Sequence, residues 1–171
     1  MPIKDAINLT LRAYASEDAH AVAAIFTHPE CYEDTLQLPW ENKSTPEIAP
    51  ERGIMSVAEA ESEAGKRVIG FASMIRSPRV PVSHVFGIGM GVHPGYHRRG
   101  VGSRLLEALI STAFEWYNAH RLQLEVFTYN HAAIGLYEKY GFVAEGIRKE
   151  AVFRHGRYVD LQMMALLNPT H

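Results

Sequence analysis

The chain has one cysteine, Cys31, in 171 residues. A lone cysteine forms no intrachain disulfide, which fits a reducing compartment. It also excludes a multi-cysteine zinc site. His93 and His97 stand four apart, but Pro94 and Gly95 between them prevent a helical metal pair, so no metal is expected. Charge of one sign is missing too: 17 Lys and Arg face 19 Asp and Glu, a net charge of −2. A general nucleic-acid binder would usually be basic. No apolar run approaches the roughly 20 residues of a membrane span. The start, Met1-Pro2-Ile3-Lys4-Asp5, lacks the basic and apolar regions of a signal peptide. The expectation is a cytoplasmic protein with neither nucleic acid nor membrane as partner. Without secretion, the triplets Asn8-Leu9-Thr10 and Asn42-Lys43-Ser44 mean nothing as glycosylation sites.

What is present is ordinary for a globular protein, with 47% hydrophobic and 21% charged residues. The length suits one domain, residues 1–171, large enough to bury roughly 70% of the unfolded surface. Leu9 to Tyr14 alternates as a strand, and Ser16-Glu17-Asp18 starts a helix that Pro29 stops. Residues 30–50, with Pro39, Pro46 and Pro50, form an irregular segment with a short helix at most. Two strands follow, Ile54 to Glu59 and Arg67 to Ile75, paired as a hairpin. Val85 to Val92 is a further strand interrupted by Gly87, Gly89 and Gly91. A long helix spans Val101 to Asn118, its apolar stripe built from Leu105, Leu106, Leu109, Ile110, Ala113 and Tyr117. Leu122 to Phe127 is a two-faced strand. Ala133, Leu136, Tyr137 and Tyr140 mark a helix that Gly141 ends. Ile147 to Phe153 and Tyr158 to Leu166 close the chain around a His155-Gly156 turn. The order β-α-(α)-β-β-β-α-β-α-β-β, with no repeat or linker, predicts one mixed α/β domain.

The turn His97-Arg98-Arg99-Gly100-Val101-Gly102 joins a strand to the long helix. First-turn amides of a helix lack internal partners, and the helix dipole puts partial positive charge there. Glycines allow close backbone approach, and Arg98, Arg99 and Arg104 add charge, as a phosphate cradle needs. No Gly-Lys-Ser/Thr follows, so it is no Walker loop, and the glycine spacing is not that of a dinucleotide fingerprint.

Met90-Gly91-Val92-His93-Pro94 followed by His97-Arg98-Arg99-Gly100-Val101-Gly102 resembles the acetyl-coenzyme A signature of the GNAT superfamily of N-acetyltransferases, Gln/Arg-x-x-Gly-x-Gly/Ala. His97 departs from its first position. Asn130, Ala133, Tyr137, Gly141 and Phe142 match the superfamily's Asn-x-x-Ala-x-x-x-Tyr-x-x-x-Gly-Phe segment. The resemblance implies a mostly antiparallel, twisted sheet of about seven strands, split at its central strands, with helices on both faces. Residues 1–80 would form the acceptor side, 83–142 the acetyl-CoA-binding core and 143–171 a C-terminal hairpin. Acetyl-CoA would be the cosubstrate. Its pyrophosphate would lie on the amides of Arg98, Arg99, Gly100, Val101, Gly102 and Ser103, beside His97. Its pantetheine arm would run along Met90 and Val92, with Asn130, Ala133 and Tyr137 completing the site. Gly87, Gly89 and Gly91 would then flank a backbone that pairs with a ligand; the alternative is that they make room for a helix across the sheet.

The chemistry follows separately. An α-amino group, with a pKa of about 8, must lose a proton before it attacks a thioester. A backbone N–H near Met90 or Val92 would stabilise the tetrahedral oxyanion. The leaving thiolate, with a pKa of about 8.5, benefits from a proton donor. By its motif position Tyr137 is that acid. Glu125 is the candidate base, since Glu125, Asn130 and Tyr137 resemble the arrangement in ribosomal-protein alanine N-acetyltransferases. His84 and water are the alternatives.

The segment Glu30 to Trp40 mixes acids with Tyr32, Leu36, Leu38 and Trp40, which suits an amine beside an apolar group. Its Thr-Leu-Gln-Leu-Pro stretch resembles the bacterial L-amino acid N-acetyltransferase branch, and Tyr32, Thr35 and Leu36 are the expected acceptor contacts. The expected activity is N-acetylation of a small amine, an amino acid or related metabolite, by a chain that could pair as a homodimer through its last two strands. The alternatives are a protein N-terminal acetyltransferase and a non-catalytic acyl-CoA-binding domain.

Overall fold

A computed structural model describes residues 7–38, 48–63 and 65–170. Pro39, Trp40, Pro46, the triplet at 42–44 and the first six residues lie outside the described residues. The elements are β1 (Leu9–Ala13), α1 (Ala19–Thr27), α2 (Pro29–Tyr32), β2 (Gly53–Ser62), β3 (Gly65–Arg76), β4 (Val85–Val92), α3 (Val101–Glu115), β5 (Arg121–Phe127), α4 (His131–Lys139), β6 (Val143–Arg154) and β7 (Arg157–Leu167). The seven strands form one sheet in the order β1-β2-β3-β4-β5-β7-β6. β4 and β5 pair in parallel; the other pairings are antiparallel.

Strand alternation sends side chains to two faces. On one face Ala58, Ala72, Met74, Phe86, Leu122 and Leu124 pack with Val101, Leu105, Leu106 and Leu109 of α3 and with Tyr137 of α4. On the other, Val57 and Phe71 meet Val22 and Phe26 of α1. The helices therefore cover both faces. Arg12 of β1 fixes the start of this second layer, donating to both oxygens of Asp18 at 2.7 and 2.8 Å and to Glu59 at 2.7 Å. Asp18 also accepts from the Ala15 amide at 2.8 Å. The guanidinium holds the buried Asp18 carboxyl below its ordinary range, against the opposing effect of burial.

The element order matches the sequence reading, and the boundaries differ for local reasons. α3 ends at Glu115 because Asn118 takes a left-handed conformation at φ 50°, and Ala119 donates back to the Ala113 carbonyl at 3.0 Å. Pro29 stops α1 and also begins α2, where the missing amide costs nothing. β6 starts at Val143, earlier than its apolar alternation, because it pairs with β7 through irregularities after Ala144 and Arg148. No helix among the described residues is long and apolar enough to cross a membrane.

Candidate active site

The parallel pairing of β4 and β5 is short: Val85 with Arg121, Phe86 with Leu122 and Gly87 with Gln123. Beyond Gly87 the strands part. Each keeps its outer partner, β3 on one side and β7 on the other. The wedge left open runs into a cavity of about 1150 Å³. Met90 and Val92 line it from β4, Leu124 and Glu125 from β5, and Ala133, Leu136 and Tyr137 from α4.

One end of the cavity is the glycine-rich turn. Gly100 takes φ 80°, a left-handed conformation that glycine adopts without strain, and the chain then enters α3. The Arg104 amide bonds to the Gly100 carbonyl at 3.0 Å. The amides of Val101, Gly102 and Ser103 precede that bond in the first turn, where the helix supplies no acceptor. His97, Arg98, Gly100, Val101, Gly102 and Ser103 all line the cavity. Arg99 does not; its guanidinium lies over the Tyr96 ring at 5.6 Å. His97 Nε2 is 2.8 Å from the Val92 carbonyl. A carbonyl only accepts, so Nε2 carries the hydrogen. The Cys31 thiol donates to the same carbonyl at 3.3 Å. Burial pushes that thiol up to about 11. The turn and α2 thus grip the end of β4.

Asn130 accepts from the Ala133 amide at 3.0 Å and caps α4. Tyr137 is buried, its ring 5.7 Å from Phe142. Burial pushes its hydroxyl up to about 12. Glu125 lies on the other sheet face, where Arg148 of β6 donates to its Oε1 at 2.5 Å. The acid and base expected from sequence therefore line one cavity from opposite faces of the sheet. His84 is not brought there. It precedes β4 at the paired end, and its ring lies against His120 at 5.9 Å.

The remaining walls are Val22, Phe26, Met55, Phe71, Ile75 and Met163, with Glu30, Asp34, Thr35, Leu36 and Gln37 on the segment after α1. Burial raises the Asp34 carboxyl above its ordinary range, opposed by Arg154. Gln37 Oε1 is buried and has no hydrogen-bond partner among the described residues. Thr35 and Leu36 line the cavity. Tyr32 does not: its carbonyl is held by Arg154 instead. The β4 glycines divide between the two readings. At Gly91 a Cβ would stand 2.7 Å from the Phe26 ring, so this glycine makes room for α1. Gly87 and Gly89 meet no such neighbour and leave bare strand facing the cavity.

Residues 13–142 match the model of the acetyltransferase (GNAT) family. The chain belongs to that family. A relative from Escherichia coli, L-amino acid N-acetyltransferase AaaT, is 33% identical over 92% of this chain and 96% of its own. Spermidine N(1)-acetyltransferase of Vibrio cholerae is 28% identical over 93% and 92%. Among solved structures, YncA of Salmonella typhimurium, determined with its cofactor acetyl-CoA, superposes with a TM-score of 0.78 at 21% identity, covering 95% of both chains. At that identity the likeness shows the fold. In this GNAT chain, sequence reasoning missed Ser73, Gln123 and Met163 as lining residues. Each is a single position in a regular strand, and its access to the cavity depends on neighbouring strands parting.

Proposed function

We propose that the chain transfers an acetyl group from acetyl-CoA to the primary amine of a small molecule carrying an apolar group, an amino acid or related metabolite. The observation that carries this reading is one cavity with two unlike kinds of wall, continuous with the open wedge between β4 and β5. The turn end offers helix amides, Arg98 and Ser103, donors suited to phosphate. The walls from α1 and the segment after it are apolar with carboxylates and the unpartnered Gln37 oxygen, suited to a protonated amine on an apolar body. Residues 83–142 would hold the coenzyme. The acceptor side of 1–80 is joined by Gln123 and Met163.

Acetyl-CoA supplies an acyl thioester. The chain's own residues do the rest. Glu125 takes the proton from the ammonium, freeing the nitrogen lone pair for attack on the carbonyl carbon. A β4 backbone amide steadies the oxyanion. As the carbon–sulfur bond breaks, the Tyr137 hydroxyl donates to the departing sulfur.

The test is release of free coenzyme A thiol from acetyl-CoA against amino acids, amino acid amides, polyamines and short peptides. Cys31 is 6% exposed and held in its thiol form, so it gives little background in a thiol-reagent assay. Release that depends on a small apolar amine supports the proposal. Release only with peptides, or with no amine at all, overturns it.

A further inference from the structure

We infer that Arg154 is a positioning residue that fastens residues 32–35, the base of the acceptor wall formed by Asp34 to Gln37, to the C-terminal hairpin, so that acceptor affinity depends on the hairpin. The inference rests on the acceptor reading given above. Arg154 is the last residue of β6, paired with Arg157 across the tight turn. Its Nη1 donates to the carbonyls of Glu33 at 2.7 Å and Thr35 at 3.3 Å, and to the Tyr129 hydroxyl at 3.2 Å. Its Nη2 donates to the Tyr32 carbonyl at 2.8 Å. The guanidinium lies 4.8 Å from the centre of the Phe127 ring, which stacks on Tyr129 at 5.0 Å. Tyr129 in turn donates to the Glu33 carbonyl at 2.9 Å, and His155 Nε2 sits 2.9 Å from the Glu33 carboxylate.

Several features make this a clamp and not a chance surface contact. The Arg154 side chain is only 12% exposed. A guanidinium withdrawn from water needs several acceptors, and the carbonyls of Tyr32, Glu33 and Thr35 serve its Nη1 and Nη2, while Nε is buried without a partner among the described residues. Within the loop, local backbone bonds run from Glu33 to Pro29, Asp34 to Cys31 and Thr35 to Tyr32, so the long-range hydrogen bonds of residues 32–35 are those to Arg154, Tyr129 and His155. Asp34, Thr35, Leu36 and Gln37 line the acceptor end directly beside the clamped carbonyls. The bonds reach across about 120 residues of sequence, joining the acceptor wall to β5 and β6 on the far side of the wedge.

The test compares wild type with Arg154→Ala, Arg154→Lys and Tyr129→Phe. Amide hydrogen exchange over residues 32–38 is expected to quicken at least tenfold in Arg154→Ala and less in Tyr129→Phe, which removes one strut. The acceptor KM is expected to rise about 10- to 100-fold in Arg154→Ala, with kcat at saturating acceptor and the acetyl-CoA KM within threefold of wild type. Arg154→Lys, which keeps the charge without the planar fork, should recover part of the loss. Unchanged exchange over 32–38 overturns the clamp, as does an acceptor KM equal to wild type. Acceptor and acetyl-CoA KM rising together would mean general damage and also count against it. Should Arg154→Ala fail to fold, Tyr129→Phe carries the test alone. Exchange needs no turnover, so a wild type that acetylates nothing would refute the proposed function and leave the clamp separately readable.

Discussion

Replacing Tyr137 by Phe removes one hydroxyl from a buried ring and leaves its packing on Phe142 intact. That hydroxyl makes no hydrogen bond to another described residue, so folding should survive the change. The magnitude of the catalytic effect follows from burial. The hydroxyl is pushed up to about 12. A free thiol, at about 8.5, is a stronger acid than a free phenol, at about 10, so complete proton transfer from tyrosine to thiolate is uphill. Tyr137 therefore acts mainly as a hydrogen-bond donor to the developing sulfur charge. A hydrogen bond to a charged group contributes about 1.5–3 kcal/mol, which corresponds to a loss in kcat of about 10- to 150-fold. Steady-state kinetics at saturating acetyl-CoA and acceptor measure it, with coenzyme binding followed separately by calorimetry. The same burial keeps the phenol protonated, so wild-type kcat should show no alkaline limb from this residue below about pH 11. A kcat equal to wild type would refute the acid role. A fall well beyond a thousandfold would refute the hydrogen-bonding argument and require full proton transfer.

Three other perturbations test different parts of the molecule. Glu125→Gln keeps the size of the side chain but cannot take a proton; kcat/KM at pH 7 should fall about 100-fold or more and recover partly at high pH, where the amine arrives deprotonated. Gly91→Ala forces the Phe26 ring to move from 2.7 Å and should cost about 1–3 kcal/mol in urea unfolding, whereas Gly89→Ala, 3.7 Å from the Ser73 hydroxyl, should cost less than half as much. The Asp18 carboxyl titrates below its ordinary value in the folded protein, so its ion pair stabilises fully above about pH 4 and is lost as pH falls through the lowered folded value. Unfolding midpoints between pH 6 and pH 2 should drop more steeply for wild type than for Asp18→Asn, and parallel curves would contradict the assignment.

Local pattern decided the elements. The alternation in Leu122 to Phe127, the stripe in α3 and the capping glycine at 141 are properties of neighbours in sequence, so they were readable there. The motifs at 97–102 and 130–142 placed the turn and α4 for the same reason, each being one short stretch of chain. What the sequence could not determine was where β4 and β5 part, since that depends on β3 and β7 holding their own partners. All three β4 glycines line the cavity, and it is the packing of α1 that brings Phe26 against Gly91 and leaves Gly89 open, although the two glycines look alike in sequence. Tertiary structure likewise removed His84 from the site, because it stands at the paired end of β4. It leaves Tyr32 off the cavity lining, with its carbonyl accepting from Arg154. What Arg154 holds was not readable from its neighbours, because its bonds join positions about 120 residues apart. Periodicity and capping act over a few residues, and the acceptor end of this protein is built from segments that meet only once the sheet has formed.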